Sequence, residues 1–222
     1  MITTKIIYAG RTLTVADVAE SKLFNIWKSR GSFYDTQTLD YIKSLRLKGV
    51  YVDVGANSGN HSMFMANFCR CTHLVAVECV PMLIDVLTTN LKTNSPVKYT
   101  VVPYAASDYD GEGLCSVPVL PNLGTASMVR NNDRKLPIRV RKLDTILLAV
   151  PSDVVVVKID VEGAELNVLK GATNMLATLH PVIVAEAWTQ ACVKELTDFL
   201  GSFGYEYVMS PNKANHVWKR AQ

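Results

Sequence analysis

An α/β domain with a doubly wound parallel sheet is the expectation from this sequence, on three grounds. Short apolar runs at 50–54, 74–77, 154–159 and 182–185 alternate with stretches whose apolar residues recur every three or four positions. The run at 154–159 is apolar at every position except Lys158, the pattern of a strand covered by helices on both faces. A Gly-rich turn at 55–59 joins the first run to a helical stretch.

In order along the chain, residues 15–30 and 34–47 read as helices, with Leu23, Ile26 and Trp27, then Leu39, Ile42 and Leu45, at helical spacing. Gly49 stops the second. Residues 50–54 form a buried strand and 60–69 a helix. A strand at 74–77 and a helix at 81–92, entered through Pro81, follow. Residues 99–102 make a third strand. Residues 107–142 are punctuated by Gly, Pro and Asn and read as loops with one or two strands, one of them at 139–141. The strand at 154–159, a helix at 163–178, a strand at 182–185 and a helix at 190–202 come next. Residues 205–209 and 214–218 close the chain as a hairpin around Pro211 and Asn212.

Composition bounds the function. The 222 residues suit one domain, and 49% hydrophobic against 19% charged residues exclude global disorder. A net charge of +3 is too small for a non-specific nucleic-acid binder. No apolar run reaches the ~18–20 residues that a bilayer-spanning helix needs. The first 17 residues carry no secretory pattern. A soluble cytoplasmic protein is the expectation. Five cysteines (69, 71, 79, 115 and 192), odd in number and without a CxxC pair, argue against a disulfide framework or zinc ribbon. The CxC of Cys69 and Cys71 reads as buried thiols rather than a metal clip.

The segment 52–60, VDVGANSGN, is a strand, a Gly-rich turn and a helix start. Gly55 and Gly59 let a ligand approach the backbone, with Ala56, Asn57 and Ser58 between them, and Ser58 or Asn60 is placed to cap the helix. The spacing is neither the dinucleotide fingerprint nor a P-loop. Asp53 at the strand end is unwelcome beside phosphate but suits a cation. Glu78 ends the next strand 19 residues beyond Gly59, where an acidic side chain accepts from ribose hydroxyls. A nucleoside-bearing cofactor without a pyrophosphate fits, and S-adenosylmethionine, with its sulfonium near Asp53, is such a molecule.

The runs VDVGANSGNHS, VAVECVP, AASDYDG, NLGTASM, KLDTIL, VVVKIDVEGAELNVLKGA and HPVIVAE together resemble the FkbM family of S-adenosylmethionine-dependent methyltransferases, over residues 34–187. KIDVEGAE is the most specific element. The resemblance implies a Rossmann-like class I methyltransferase sheet of seven strands, mostly parallel with the last antiparallel, and helices on both faces. It implies transfer to oxygen, often on a sugar or natural-product hydroxyl. One departure is Glu78-Cys79-Val80-Pro81 where the family has Glu-Pro, which alters the adenine side. Residues 1–222 are then a single methyltransferase domain, with an N-terminal helical region at 1–48, the core sheet at 49–209 and a terminal strand at 210–222. The cofactor set comprises Tyr34, Thr36, Asp53, Gly55, Ala56, Asn57, Ser58, Gly59, Glu78, Cys79, Ala106, Ser107 and Asp160. Within it, Ala106 and Ser107 face adenine, and Tyr34 and Thr36, with Asp35, close over the cofactor.

On the acceptor side, alternation puts Lys158 and Asp160 on one face at the carboxyl end of a buried strand, where ligands of open α/β sheets sit. A sugar hydroxyl has a pKa far above neutral and needs a base or a cation. Asp160 is the first candidate for either task. Lys158 polarises the acceptor or pairs with Asp160, and Glu186 and His61 complete the catalytic candidates. Asp160, Glu162 and Glu186 form a hard-oxygen set for Mg²⁺ or Mn²⁺. Glu165 also reads as a first-turn acid of the next helix, and His180 as a surface residue. Asn122, Thr125 and Ser127 are candidate sugar contacts on a loop. Residues 130–142 carry six basic residues and one acid, a solvated face or an anion-facing one. Trp27, Tyr34, Trp188 and Trp218 are candidates for stacking on a sugar. The partner is a sugar or glycan, and the apolar N-terminal helices offer a homodimer surface. Two rivals stand beside this reading: an RNA 2′-O-methyltransferase, and a non-catalytic module retaining the fold.

Overall fold

The computed structural model describes residues 1–19, 21–117, 126–128, 135–151 and 153–221. The chain opens with a hairpin, β1 (Ile2–Tyr8) and β2 (Arg11–Asp17), turned through Ala9 and Gly10 at φ 48° and 78°. Two positive φ values suit the turn that follows strand twist. Helices α1 (Lys22–Arg30) and α2 (Thr36–Ser44) precede β3 (Gly49–Val54), α3 (Asn60–Phe68), β4 (Cys71–Val77), α4 (Pro81–Asn94) and β5 (Lys98–Val102). Then come β6 (Ala105–Ser107), β7 (Gly111–Ser116), β8 (Lys135–Lys142), α5 (Leu143–Leu147) and β9 (Val154–Ile159). The chain ends with α6 (Glu165–Lys170), α7 (Thr173–Thr178), β10 (Val182–Glu186), α8 (Gln190–Gly201), β11 (Tyr205–Met209) and β12 (Asn215–Arg220).

Seven strands form the main sheet in the order β11-β12-β10-β9-β3-β4-β5. The five strands from β10 to β5 run parallel, and β12 pairs antiparallel with both β10 and β11. The doubly wound expectation holds, including the antiparallel closing strand. Strand order reverses between β3 and β9, so the crevice above their carboxyl ends is the place for a ligand. Tyr51, Val156 and Val184 pack on one face with Trp27, Phe33, Phe64 and Leu87. Val52, Val54, Val157 and Ile159 pack on the other with Leu143, Val168, Leu176 and Leu200. Burial on both faces is why these strands read as unbroken apolar runs. Among the described residues no helix is long and apolar enough to cross a membrane.

Two helical expectations need correction. Residues 15–17 belong to β2, and the region 1–48 begins with a hairpin rather than a helix. Leu13 and Val15 enter the core while Thr12 and Thr14 stay out, an alternation that period-two pairing with β1 satisfies. Asn90 of α4 then acts as a surrogate strand for β2, accepting from Ala16 N–H (2.7 Å) and donating to Ala16 C=O (2.8 Å). The helix expected at 163–178 is two helices, α6 and α7. Their junction is Gly171, where a Cβ would stand 1.9 Å from the Ser107 carbonyl oxygen. That close approach docks the junction on β6. Residues 107–142 carry β7 and β8, which with β6 make a small second sheet in the order β6-β8-β7.

Candidate functional site

The glycine loop leaves β3 at Gly55, with φ +80°. A Cβ there would lie 1.8 Å from the Asp160 carbonyl oxygen, so glycine is what lets the end of β9 close on the loop. Asn57 continues at φ 51° and donates its N–H to Glu78 Oε2 at 2.8 Å. Cys79 and Val80 N–H donate to Glu78 Oε1 at 2.8 and 2.9 Å. Burial pushes the Glu78 carboxyl up, and these three amides pull against it. Gly59 precedes α3 without any side-chain cap, so the expected capping by Ser58 or Asn60 is absent. Both serve elsewhere. Ser58 Oγ donates to buried Asp17 of the hairpin (2.7 Å). Asn60 grips the Tyr34 backbone, accepting from its N–H (3.0 Å) and donating to its C=O (2.9 Å), and also accepts from the Trp27 indole (3.0 Å).

A cleft opens above the reversal point. Its walls include Gly55, Asn57, Glu78, Cys79, Ala106, Ser127 and Asp160 of the expected residues, and add Leu83, Tyr104 and Val161. Tyr34, Thr36, Asp53, Ala56, Ser58, Gly59 and Ser107 are not on the walls. Asp53 is buried on the opposite face, where it accepts from Ser62 Oγ (2.5 Å). Ser107 is buried against Asp108 (3.1 Å). Thr36 opens α2. Ser127 Oγ donates to the Glu162 carbonyl (2.9 Å). Asn122 and Thr125 lie outside the described residues, as do residues 130–134 of the basic segment. Arg139 and Arg141 of that segment stack over Tyr104 at 4.6 and 4.5 Å.

Beside the cleft, carboxylate oxygens of Asp160, Glu162 and Glu186 lie within 4.8 Å of one another, the converging metal-type donor set among the described residues. Glu162 (φ 59°) and Gly163 (φ 102°) make the turn that brings Glu162 back toward Asp160. Glu165 bonds its own loop, accepting from Val161 and Gly163 N–H at 3.1 Å each. Lys158 is fully buried and its Nζ donates to Asp160 Oδ2 at 3.1 Å. Burial lowers the Lys158 pKa, but the charges of Asp160, Asp53 and Glu186 more than reverse this and raise it. Glu186 is pushed up to about 8, first by burial and next by Asp160, with Lys158 opposing.

That shift carries a prediction. The unfolded Glu186 titrates near 4.5, so the folded state holds its proton more tightly. Its stability contribution is complete below about 4.5 and is lost as pH rises to about 8. In chelated buffer, melting temperature should therefore fall with pH across that window more steeply in wild type than in Glu186→Gln. Parallel profiles for the two proteins would show that Glu186 is not strained there.

Asp35, at φ 55°, is the hub of the neighbouring cluster. His61 Nε2 lies 3.3 Å from its Oδ2, and Asn212 and Asn215 amides donate to Oδ1 (2.5 Å) and Oδ2 (3.1 Å). Burial alone would raise the Asp35 pKa, yet His61, Thr38 and Lys158 outweigh it and lower it. Tyr34 is 43% exposed, and its phenol is raised by burial and then by the charges of Asp35, Asp160 and Glu186. Trp188, 65% exposed, stands beside Glu186 and is the smallest influence on its carboxyl, in the lowering direction. Trp27 and Trp218 are core residues with no exposure. His180 is away from the cleft, bonded to the Ala177 carbonyl (2.8 Å). Cys69 and Cys71 flank the amino end of β4, with thiols raised to about 12 by burial.

A family model described as the methyltransferase FkbM domain matches residues 53–207. Hexuronic acid methyltransferase AglP of Haloferax volcanii is 32% identical over 183 residues, 80% of this chain and 70% of that protein. Methyltransferase sdnD of Sordaria araneosa is 27% identical over 179 residues, 64% of this chain and 68% of that protein. Among solved structures, methyltransferase FkbM from Methylobacillus flagellatus superposes on 84% of this chain with a TM-score of 0.60 and 20% identity. The superposition spans 48% of that longer chain. Precorrin-6y C5,15-methyltransferase from Geobacter metallireducens gives a TM-score of 0.53 at 18% identity, over 92% of this chain and 93% of its own. At such identities the two structures speak for the fold alone.

Proposed function

The chain belongs to the FkbM methyltransferase family, and from that premise we propose that it transfers a methyl group from S-adenosylmethionine to a hydroxyl oxygen of a sugar or glycan. One observation carries the reading. Asp160 lies both on the wall of the cleft that holds Glu78 and in the acidic cluster beside it, so a cofactor site and a proton-accepting site meet at one residue.

The cleft suits the cofactor. Glu78 Oε1 already accepts from two amides and Oε2 from one, which fixes the carboxylate and leaves the second lone pair of Oε2 for a ribose hydroxyl. Ala106, Leu83 and Tyr104 offer a flat apolar wall for a purine. S-adenosylmethionine, when bound, supplies the electrophilic methyl group. Asp160 accepts the proton of the acceptor hydroxyl, and Lys158 holds Asp160 in place. The crowded oxygens of Asp160, Glu162 and Glu186, and the proton affinity of Glu186, fit a hard divalent ion. Those three residues would hold Mg²⁺ or Mn²⁺, which would lower the hydroxyl pKa and stabilise the alkoxide.

A sugar acceptor is supported by Tyr34 and Trp188, exposed aromatic faces flanking the acids, and by the hexuronic acid named in the AglP relative. A hydroxyl fits this surface better than a carboxylate, because four acids gather here against one buried lysine and one histidine.

The cofactor half is tested by calorimetry with S-adenosylhomocysteine. Glu78→Ala should weaken binding about 10- to 100-fold, the equivalent of about 1–3 kcal/mol for charged hydrogen bonds. Equal affinity in the variant would remove Glu78 from the cofactor site.

A further inference from the structure

We infer a second binding site, at the far end of the sheet from the cofactor cleft, for a phosphate group, free or carried by a small molecule. It does not depend on the methyltransferase reading. Tyr8, Asp40, Lys43, Arg46, Phe68 and Arg70 line a bowl of about 480 Å³. That volume falls within the ~300–1,000 Å³ typical of small-molecule sites. No residue lines both the bowl and the cofactor cleft. Arg46 lies in the loop before β3, and Arg70 directly precedes β4. The bowl is therefore at the amino ends of the strands whose carboxyl ends carry Gly55 and Glu78.

The chain holds these cations in place. Arg46 N–H donates to the Lys43 carbonyl (3.2 Å), and Arg46 then turns out of α2 at φ 52°. Gly49 N–H donates to the Arg70 carbonyl (3.4 Å), and Arg70 Nη1 donates to the Arg46 carbonyl (3.4 Å). The two loops are thus stitched together with both arginines on one concave surface. Lys43 Nζ donates to the Tyr8 phenol oxygen at 3.4 Å and lies 4.9 Å from the centre of that ring. The phenol in turn donates to Asp40 Oδ1. It is pushed up to about 12, first by burial and then by Asp40, so it stays neutral and offsets none of the positive charge.

The charges of the bowl do not balance. Among the described residues no carboxylate oxygen comes within 4 Å of a Lys43, Arg46 or Arg70 side-chain nitrogen. Three cations share the bowl with one acid. The dipole of α2 accounts for Lys43, which stands in its last turn. Arg46 and Arg70 stand on loops beyond the helix ends, where that effect has faded. Like charges gathered around a concavity favour an anion. A guanidinium fork matches phosphate oxygens in pairs, and the ammonium adds a point charge. The concave shape and the chain's small net charge of +3 favour a small phosphate compound over a nucleic acid.

The test is calorimetric titration at low salt with glucose 6-phosphate, inorganic phosphate and glucose. Wild type should bind glucose 6-phosphate with submillimolar affinity that weakens as sodium chloride is added, and should bind glucose at least tenfold more weakly. Inorganic phosphate binding as tightly as glucose 6-phosphate would assign the site to the free anion, and weaker binding would assign it to a phosphorylated compound. Arg46→Gln and Arg70→Gln should each weaken glucose 6-phosphate at least tenfold with melting temperature nearly unchanged. If Arg70→Gln disturbs the loop that it bonds, Arg46→Gln carries the expectation alone, because its side chain makes no hydrogen bond among the described residues. Lys170→Gln, on α6 over the opposite face of the sheet, should bind as wild type does. No binding of either phosphate by wild type, equal binding of glucose, or undiminished binding in the arginine variants would overturn the inference.

Discussion

Asp160→Asn is expected to lower turnover by at least about a hundredfold, within the range a positioned general base supplies, while S-adenosylhomocysteine affinity changes by less than about threefold. The change keeps the shape of the side chain and removes its charge and basicity. The backbone of Asp160 is what shapes the loop: its N–H bonds the Val54 carbonyl (2.9 Å), and its C=O is what Gly55 makes room for. Both survive in the variant. Lys158 keeps a partner, because an amide oxygen still accepts from Nζ. Loss of cofactor affinity in step with turnover would mean that Asp160 holds the cofactor rather than acting on the acceptor.

Gly55→Ala should be the most destabilising single methyl in the loop, costing about 4 kcal/mol or more and abolishing a cooperative native transition if the protein is marginal. Two effects add. An L-residue at φ +80° is strained by about 1–2 kcal/mol. The new Cβ also overlaps a backbone oxygen at 1.8 Å, which no rotamer relieves. Gly10 is the internal control. It sits at nearly the same φ, +78°, with nothing within 4 Å of where a Cβ would stand. Gly10→Ala should therefore cost only the conformational part, about 1–2 kcal/mol. Urea unfolding of both variants measures the difference. Equal losses would mean that β9 and the glycine loop do not close on each other as described.

Much of this was legible in the sequence because of where the residues stand. Strands buried on both faces write continuous apolar runs, so β3, β4, β9 and β10 announced themselves, and the candidate site groups at their carboxyl ends (Gly55, Glu78, Asp160, Glu186) followed from topology. The hairpin did not. Val15 and Ala16 fit a helical period as well as a strand one, and only pairing with β1 decides between them. Nor does apolar spacing register Gly171, which divides α6 from α7 because of a carbonyl on β6. The cluster around Asp35 was hidden for a simpler reason. Asp35 and His61 are 26 positions apart, and Asp35 and Asn215 are 180 apart, and single polar side chains carry no period to connect them. Asp53 shows the opposite limit: its place at a strand end suggested a cofactor contact, but the alternation of β3 turns it toward Ser62 and α3.

The most direct test is transfer of a ¹³C-methyl group from labelled S-adenosylmethionine to methyl β-glucuronide and methyl β-glucoside, with and without Mn²⁺, followed by NMR of the product before and after alkali. A new methyl ether on a ring hydroxyl, stable to alkali and absent with Asp160→Asn, is the predicted result. An alkali-labile methyl ester on the uronate, or no transfer to either glycoside under any condition while the cofactor binds, would contradict the assignment of a sugar hydroxyl as the acceptor.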